Sequence, residues 1–208
     1  MTNSTNKKRI GCLGLSANPP HLGHLAAARA VLKSGLVDEV WLIPVFAHAF
    51  NKPDFAPWRH RVAMTKFLEE PGIIVCEIEG ERTVVSYTAD TVAALRERHP
   101  DYEFFWVIGS DIVARGEYLQ WHNWDELKNM IRFIVIDRSG YPICESDVPE
   151  RFIRLHDSEV RCQSSTLARE LIHRHEDVAS LVGEQIAYYI NQNELYSNTE
   201  EARYGKRD

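Results

Sequence analysis

Apolar, β-branched runs alternate along this chain with longer stretches whose apolar residues recur at helical spacing. The runs predict strands at Ile10 to Leu15, Val40 to Val45, Ile73 to Ile78, Phe104 to Ile108, Phe133 to Ile136 and Phe152 to Leu155. Helical period predicts helices at about 22 to 34, 57 to 70, 88 to 99, 121 to 130, 165 to 175 and 178 to 193. Strands apolar on both faces, separated by helices, imply parallel pairing with crossovers and an α/β fold that ends in a helical extension. Its 208 residues suit one domain over residues 9 to 196, with flexible polar tails at 1 to 8 and 197 to 208.

In an open parallel sheet, ligands bind outside the carboxyl ends of the strands, where the strand order reverses. The distinctive motifs here follow strands and should converge on that edge. The most informative is Gly14-Leu-Ser-Ala-Asn-Pro-Pro-His-Leu-Gly-His-Leu25. It leaves the first strand, turns through Asn18, Pro19 and Pro20, and sets His21 and His24 on one face where an Ala-rich helix begins. A helix N-terminus presents free N–H groups and a partial positive charge, so this arrangement suits phosphate. Gly23, between the histidines, lets a ligand approach the backbone. The spacing differs from that of His-Glu-x-x-His and no carboxylate lies between, so no metal ligands are assigned. His173 and His175 diverge on a predicted helix and are expected to face solvent.

Composition is ordinary, with 44% hydrophobic and 26% charged residues, and no apolar run approaches the ~18 residues of a membrane span. The polar start lacks the apolar segment of a secretion signal, and the expected location is cytoplasmic. A net charge of −6 disfavours broad nucleic-acid binding but leaves room for a local anion pocket. Cys12, Cys76, Cys144 and Cys162 form no Cys-x-x-Cys pair, so they are expected to be buried thiols. No P-loop, no Gly-x-Gly-x-x-Gly and no Gly-x-Ser-x-Gly elbow is present. A phosphate-handling chain without these loops must use another device.

That device resembles one family's. Ser16-Ala-Asn-Pro-Pro-His-Leu-Gly-His24 resembles the His-x-Gly-His signature of the nucleotidyltransferase α/β superfamily, and Ser164-Ser-Thr-Leu-Ala-Arg169 resembles its second signature, Ser-Ser-Thr-x-Ile/Leu-Arg. Between them, His48 to Lys52, Ser86 to Thr91, Gly109-Ser110-Asp111, Trp121 to Trp124 and Asp137 to Tyr141 resemble the bacterial nicotinate mononucleotide adenylyltransferases, as does the ending Val182 to Tyr196. The ordered set is far more specific than any one motif. Leu15 stands where the family usually has a second Gly and Ala17 where it has Phe. Ala168 replaces a branched residue, and Ala114 to Glu117 reads as a short insertion.

The resemblance implies a Rossmann-like fold and adenylyl transfer from ATP to nicotinate mononucleotide, with Mg²⁺ accompanying ATP. It implies catalytic roles for His21 and His24. ATP-binding roles fall to Ser16, Gly23, Lys52, Gly109, Asp111, Arg138, Ser164, Ser165, Thr166 and Arg169. Pyridine-nucleotide contacts fall to Ala17, Asn18, Tyr87, Thr88 and Trp121, with Trp124 assigned to the core. For Asp111 the alternative is an ordinary helix cap, and for Lys52 and Arg138 a solvated surface charge. Tyr87 and Thr88 open a helix whose free N–H groups favour a carboxylate, which points to nicotinate over nicotinamide.

The rivals are the nicotinamide or dual-specificity enzyme of the same fold and a non-catalytic nucleotide-binding regulator. Phosphopantetheine adenylyltransferases carry Thr at the position of His21, cytidylyltransferases have a differently built second motif, and class I aminoacyl-tRNA synthetases need a further domain. Neither nucleic acid nor membrane is an expected partner, and a homo-oligomer stays open.

Overall fold

The computed structural model describes residues 7–47, 55–82, 84, 85, 87–156 and 163–197. Its strands are β1 (Lys8–Leu15), β2 (Glu39–Pro44), β3 (Ile73–Val75), β4 (Tyr102–Gly109), β5 (Arg132–Ile136) and β6 (Phe152–Leu155). They form one parallel sheet in the order β3-β2-β1-β4-β5-β6. The helices are α1 (Leu22–Lys33), α2 (Trp58–Lys66), α3 (Thr88–Arg98), α4 (Ser110–Ala114), α5 (Trp124–Met130), α6 (Ser165–His173), α7 (Ala179–Val182) and α8 (Glu184–Gln192). The fold is the Rossmann-like α/β arrangement expected from the alternating pattern.

Side chains along each strand divide between two cores. Leu13, Leu42, Val107 and Ile134 face one layer with Leu25 and Val31 of α1, Met64 of α2, Ile172 of α6 and Ile190 of α8. Ile10, Ile43, Trp106 and Phe133 face the other with Val92 and Leu95 of α3 and Leu127 of α5. From β1 the chain steps outward to β2 and β3, then crosses back to β4 on the far side of β1. The order therefore reverses between β1 and β4, and a crevice opens at their carboxyl ends.

Several boundaries differ from the sequence pattern. The third strand stops at Val75, and Ile78 opens a 3₁₀ turn, Ile78–Glu81. Gly80 explains the turn's close packing: a Cβ there would overlap the Trp58 ring. Helix α2 ends at Lys66, short of residue 70. The stretch at 121 to 130 becomes helical only from Trp124, after a 3₁₀ turn at Glu117–Gln120, and the five-residue α4 was not anticipated. The final helix is cut in two at Gly183, whose φ of 93° lies outside the helical range. Cys12 is buried as expected, but Cys76 is half-buried and Cys144 is exposed, while Cys162 lies outside the described residues. His173 is half-buried with its Nδ1 enclosed, and His175 is exposed beyond the end of α6.

Among the described residues, no helix is long and apolar enough to cross a membrane.

Candidate active site

The turn after β1 passes through one left-handed residue and ends on an extended N-cap. Ala17 takes a left-handed φ of 52° and is fully buried in the core, so its side chain does not line the cavity assigned to it by resemblance. His21 is extended, with φ −148° and ψ 167°, and acts as the N-cap of α1. Its N–H donates to Nδ1 of His24 at 3.1 Å, and the two rings stack with centroids 3.7 Å apart at 22°. Because Nδ1 of His24 accepts, the neutral ring carries its proton on Nε2. Gly23 permits this packing: a Cβ there would lie 3.0 Å from Nδ1 of His21 and 3.3 Å from Cβ of Gln163.

Burial, reinforced by the Arg138 cation, pulls His21 down to about 4. Burial, His21 and Arg138 together hold His24 well below the usual histidine range. Both rings are therefore neutral at pH 7. The unfolded chain takes up a proton on His21 near pH 6.5, whereas the native site resists it until about 4. Stability is thus complete above about pH 6.5 and falls as pH drops toward 4. Thermal melts at pH 7.5 and pH 5 check this: the acid-induced loss of Tm should be smaller in His21→Asn than in the wild type. An equal loss in both would remove His21 from the acid response.

The second motif is tied to the first. Ser164 caps α6, its Oγ accepting from the N–H groups of Thr166 and Leu167 at 3.2 and 3.4 Å. Ser165 Oγ donates to the Pro19 carbonyl at 2.9 Å, and Arg169 donates to the Asn18 carbonyl at 2.7 Å. Asn18 is itself committed, its Oδ1 accepting from the Ala56 N–H at 3.0 Å. Two helix N-termini, those of α1 and α6, are stitched side by side.

On the far side of the crevice, Arg138 follows β5 and donates to Asp111 Oδ2 at 2.9 Å. Ser110 Oγ accepts from the Arg138 N–H at 2.9 Å and donates to the Tyr141 carbonyl at 2.8 Å, which fixes where the arginine leaves the strand. Gly109 is required here, since a Cβ would overlap Asp111 Oδ1 and meet Arg138 Cδ at 2.5 Å. Gly109 is also the N-cap of α4, so Asp111 is not the helix cap that its alternative reading supposed.

These groups surround a cavity of about 630 Å³ at the carboxyl ends of β1, β4 and β5. Ser16, Asn18, His21, Gly23 and His24 line it from the first turn, and Ser164, Ser165, Thr166 and Arg169 from α6. Gly109, Asp111, Trp121, Arg138 and Thr88 of the expected set line it as well. Tyr87 is not on the wall; it is exposed and packs on His122 at 4.4 Å. Trp121 reaches the cavity, while Trp124 packs among Tyr118, Phe133 and Phe152, as expected of a core residue. Lys52 lies outside the described residues.

Among the described residues, three buried polar atoms on this wall have no hydrogen-bond partner: His21 Nδ1, Asp111 Oδ1 and Gln163 Oε1. Native proteins pair nearly all such atoms, and a polar ligand in this cavity would satisfy all three. Gln163 was not anticipated, and its only signal was its position beside Ser164. Glu79 and Trp106 also line the cavity without having been foreseen.

The model of the family described as cytidylyltransferase-like matches residues 14–190. The chain belongs to the cytidylyltransferase-like family. Among its relatives in that family, "Probable nicotinate-nucleotide adenylyltransferase" of Anaeromyxobacter sp. (strain K) is 37% identical, covering 91% of this chain and 97% of the relative. "Nicotinate-nucleotide adenylyltransferase" of Bacillus subtilis (strain 168) is 36% identical over 92% of this chain and 100% of the relative. The solved structure of Plasmodium falciparum nicotinic acid mononucleotide adenylyltransferase complexed with NaAD superposes with a TM-score of 0.78 at 22% identity, covering 91% of this chain and 97% of that one. At that identity the structural match speaks for the fold alone.

Proposed function

We propose that this chain transfers the adenylyl group of ATP to nicotinate mononucleotide, giving nicotinate adenine dinucleotide and pyrophosphate in NAD synthesis. The observation that carries this reading is the cavity itself: a stacked histidine pair, two helix N-termini and the cations of Arg138 and Arg169 face one space, with three buried polar atoms that have no partner among the described residues. Its family relatives, alike over nearly their full lengths, carry the corresponding name.

The nucleophile is a phosphate whose second pKa is about 6, so it is mostly dianionic at pH 7 and needs no general base. The obstacle is repulsion between anions. Two unit charges 4 Å apart repel by about 4 kcal/mol at an effective dielectric of 20, and several pairs meet here. The work of the protein is positioning and charge stabilisation. His21 and His24 act as the catalytic pair, donating to phosphate oxygens as neutral rings and gaining charge stabilisation as phosphate approaches. Ser16, Gly23, Gly109, Asp111, Arg138, Ser164, Ser165, Thr166, Arg169 and Lys52 bind ATP, with Asp111 suited to ribose hydroxyls. Trp121 stacks on the pyridine ring. Thr88, at the start of α3, offers N–H groups to the carboxylate.

The divalent ion in this reading is Mg²⁺ held by the triphosphate. Among the described residues no group of three or more His, Cys, Asp or Glu is arranged to hold a metal, and the arginine and N–H donors on the wall fit the oxygens of a metal-bound triphosphate. When bound with ATP, Mg²⁺ would supply charge neutralisation for the pyrophosphate leaving group. Residues 9 to 196 work as one domain, and the cytoplasm is the compartment of the reaction.

Label transfer tests the proposal. With ATP labelled at the α-phosphorus, label should appear in a dinucleotide, and with γ-label it should appear in pyrophosphate. Release of γ-label as inorganic phosphate alone would contradict adenylyl transfer.

A further inference from the structure

Arg61 sits on α2 in a segment, Trp58-Arg-His-Arg, that looks solvent-facing, yet it is only 1% exposed. Its guanidinium is satisfied by backbone carbonyls. Nε donates to Ala56 at 2.9 Å, one terminal nitrogen donates to Ser16 at 2.9 Å and Val45 at 2.6 Å, and the other donates to Phe46 at 2.8 Å. The guanidinium also lies 4.0 Å above the Phe55 ring. The carbonyls come from three separate places: the turn after β1, the exit from β2 and the approach to α2.

Glu79 grips the same segment from the opposite side. It is 6% exposed, in the 3₁₀ turn after β3, and accepts from the Phe46 N–H at 3.0 Å and from the Thr91 hydroxyl at 2.9 Å. The N–H of Phe46 is thus held by a carboxylate and its carbonyl by a guanidinium. Ser16 and Val45, whose carbonyls Arg61 holds, both line the cavity with His21, as does Glu79.

We infer that Arg61 and Glu79 are positioning residues for adenylyl transfer, a buried bracket that fixes the Ser16 and Val45 backbones bordering the cavity, together with Phe46 next to them. The catalytic consequence rests on the function proposed above. Arg61 lies on the buried side of α2 with Met64 and Thr65, and an apolar side chain there would leave four backbone carbonyls without this donor, so the bracket also contributes to stability. Two of its four donor contacts go to Ser16 and Val45, whose residues wall the site. Reactions that depend on alignment are sensitive to small shifts, and a displacement of ~1 Å can cost about 10²-fold in rate. Lysine cannot substitute, because its three donors radiate from one nitrogen and cannot reach these carbonyls together.

The test uses Arg61→Lys and Glu79→Gln in the full chain, with amide hydrogen exchange and steady-state kinetics on Mg-ATP and nicotinate mononucleotide. We expect faster exchange concentrated in residues 14–18 and 45–47, kcat lower by about 10-fold or more, and both KM values within about 3-fold of wild type. The inference is overturned if the folded variants keep wild-type kcat, or if exchange rises evenly across the sheet. Should Arg61→Lys not fold, Glu79→Gln, which keeps the side-chain shape, decides by the same readouts. A wild-type protein inactive with this mononucleotide would count against the proposed reaction, while the exchange pattern would still judge the bracket.

Discussion

Replacing His24 with alanine is expected to lower turnover by about 10²- to 10³-fold, the usual loss for one donor that stabilises a transition state. His24 is placed for that role by the hydrogen bond from the His21 N–H to its Nδ1, which leaves Nε2–H as the ring's donor on a residue that lines the cavity. The fold should survive, since α1 also buries Leu25, Ala28, Ala30 and Val31. Steady-state kinetics with Mg-ATP, alongside circular dichroism, check both parts. Near-normal turnover in a folded variant would remove His24 from the reaction.

The largest loss of stability is expected from Phe133→Ala. Phe133 is 1% exposed at the centre of the aromatic layer. Its ring stacks on Phe152 at 4.6 Å and packs on Trp124 at 5.5 Å and Trp121 at 6.2 Å. Truncating a buried Phe typically costs about 3 to 5 kcal/mol. At roughly 2 to 4 °C per kcal/mol for a chain of this size, Tm should fall by roughly 6 to 20 °C. Because Trp121 is both a neighbour of Phe133 and a cavity wall, KM for the mononucleotide should rise more than KM for ATP. Scanning calorimetry decides the first point, and a Tm drop under about 3 °C would show that the layer repacks around the gap.

Most of the architecture was legible because parallel strands buried on both faces leave continuous apolar runs. Phe152 to Leu155 was placed with both ends right. The errors lie where local context overrides periodicity. Ile78 looked like the end of a strand, but the chain turns there so that Gly80 can pack on Trp58. Gly183 breaks an otherwise helical pattern.

At the site, the motif residues were legible because their spacing is chemical. Ala17 was misplaced because a left-handed φ turns its side chain into the core. Arg61 and Glu79 were missed because charged residues suggest solvent, and their partners are backbone groups distant in sequence. The three-residue spacing of Arg61 from the apolar Met64 on the predicted helix was the available clue. Gln163 follows a segment with little apolar pattern and had none beyond its neighbour Ser164.

The central claim is most directly tested by pyrophosphate release from the purified chain with Mg-ATP, measured in parallel on nicotinate and nicotinamide mononucleotides. Rapid release with the nicotinate form, and much slower release with the nicotinamide form, is the predicted result. No release with either would contradict adenylyl transfer to a pyridine mononucleotide, and equal rates would contradict carboxylate selection at the start of α3.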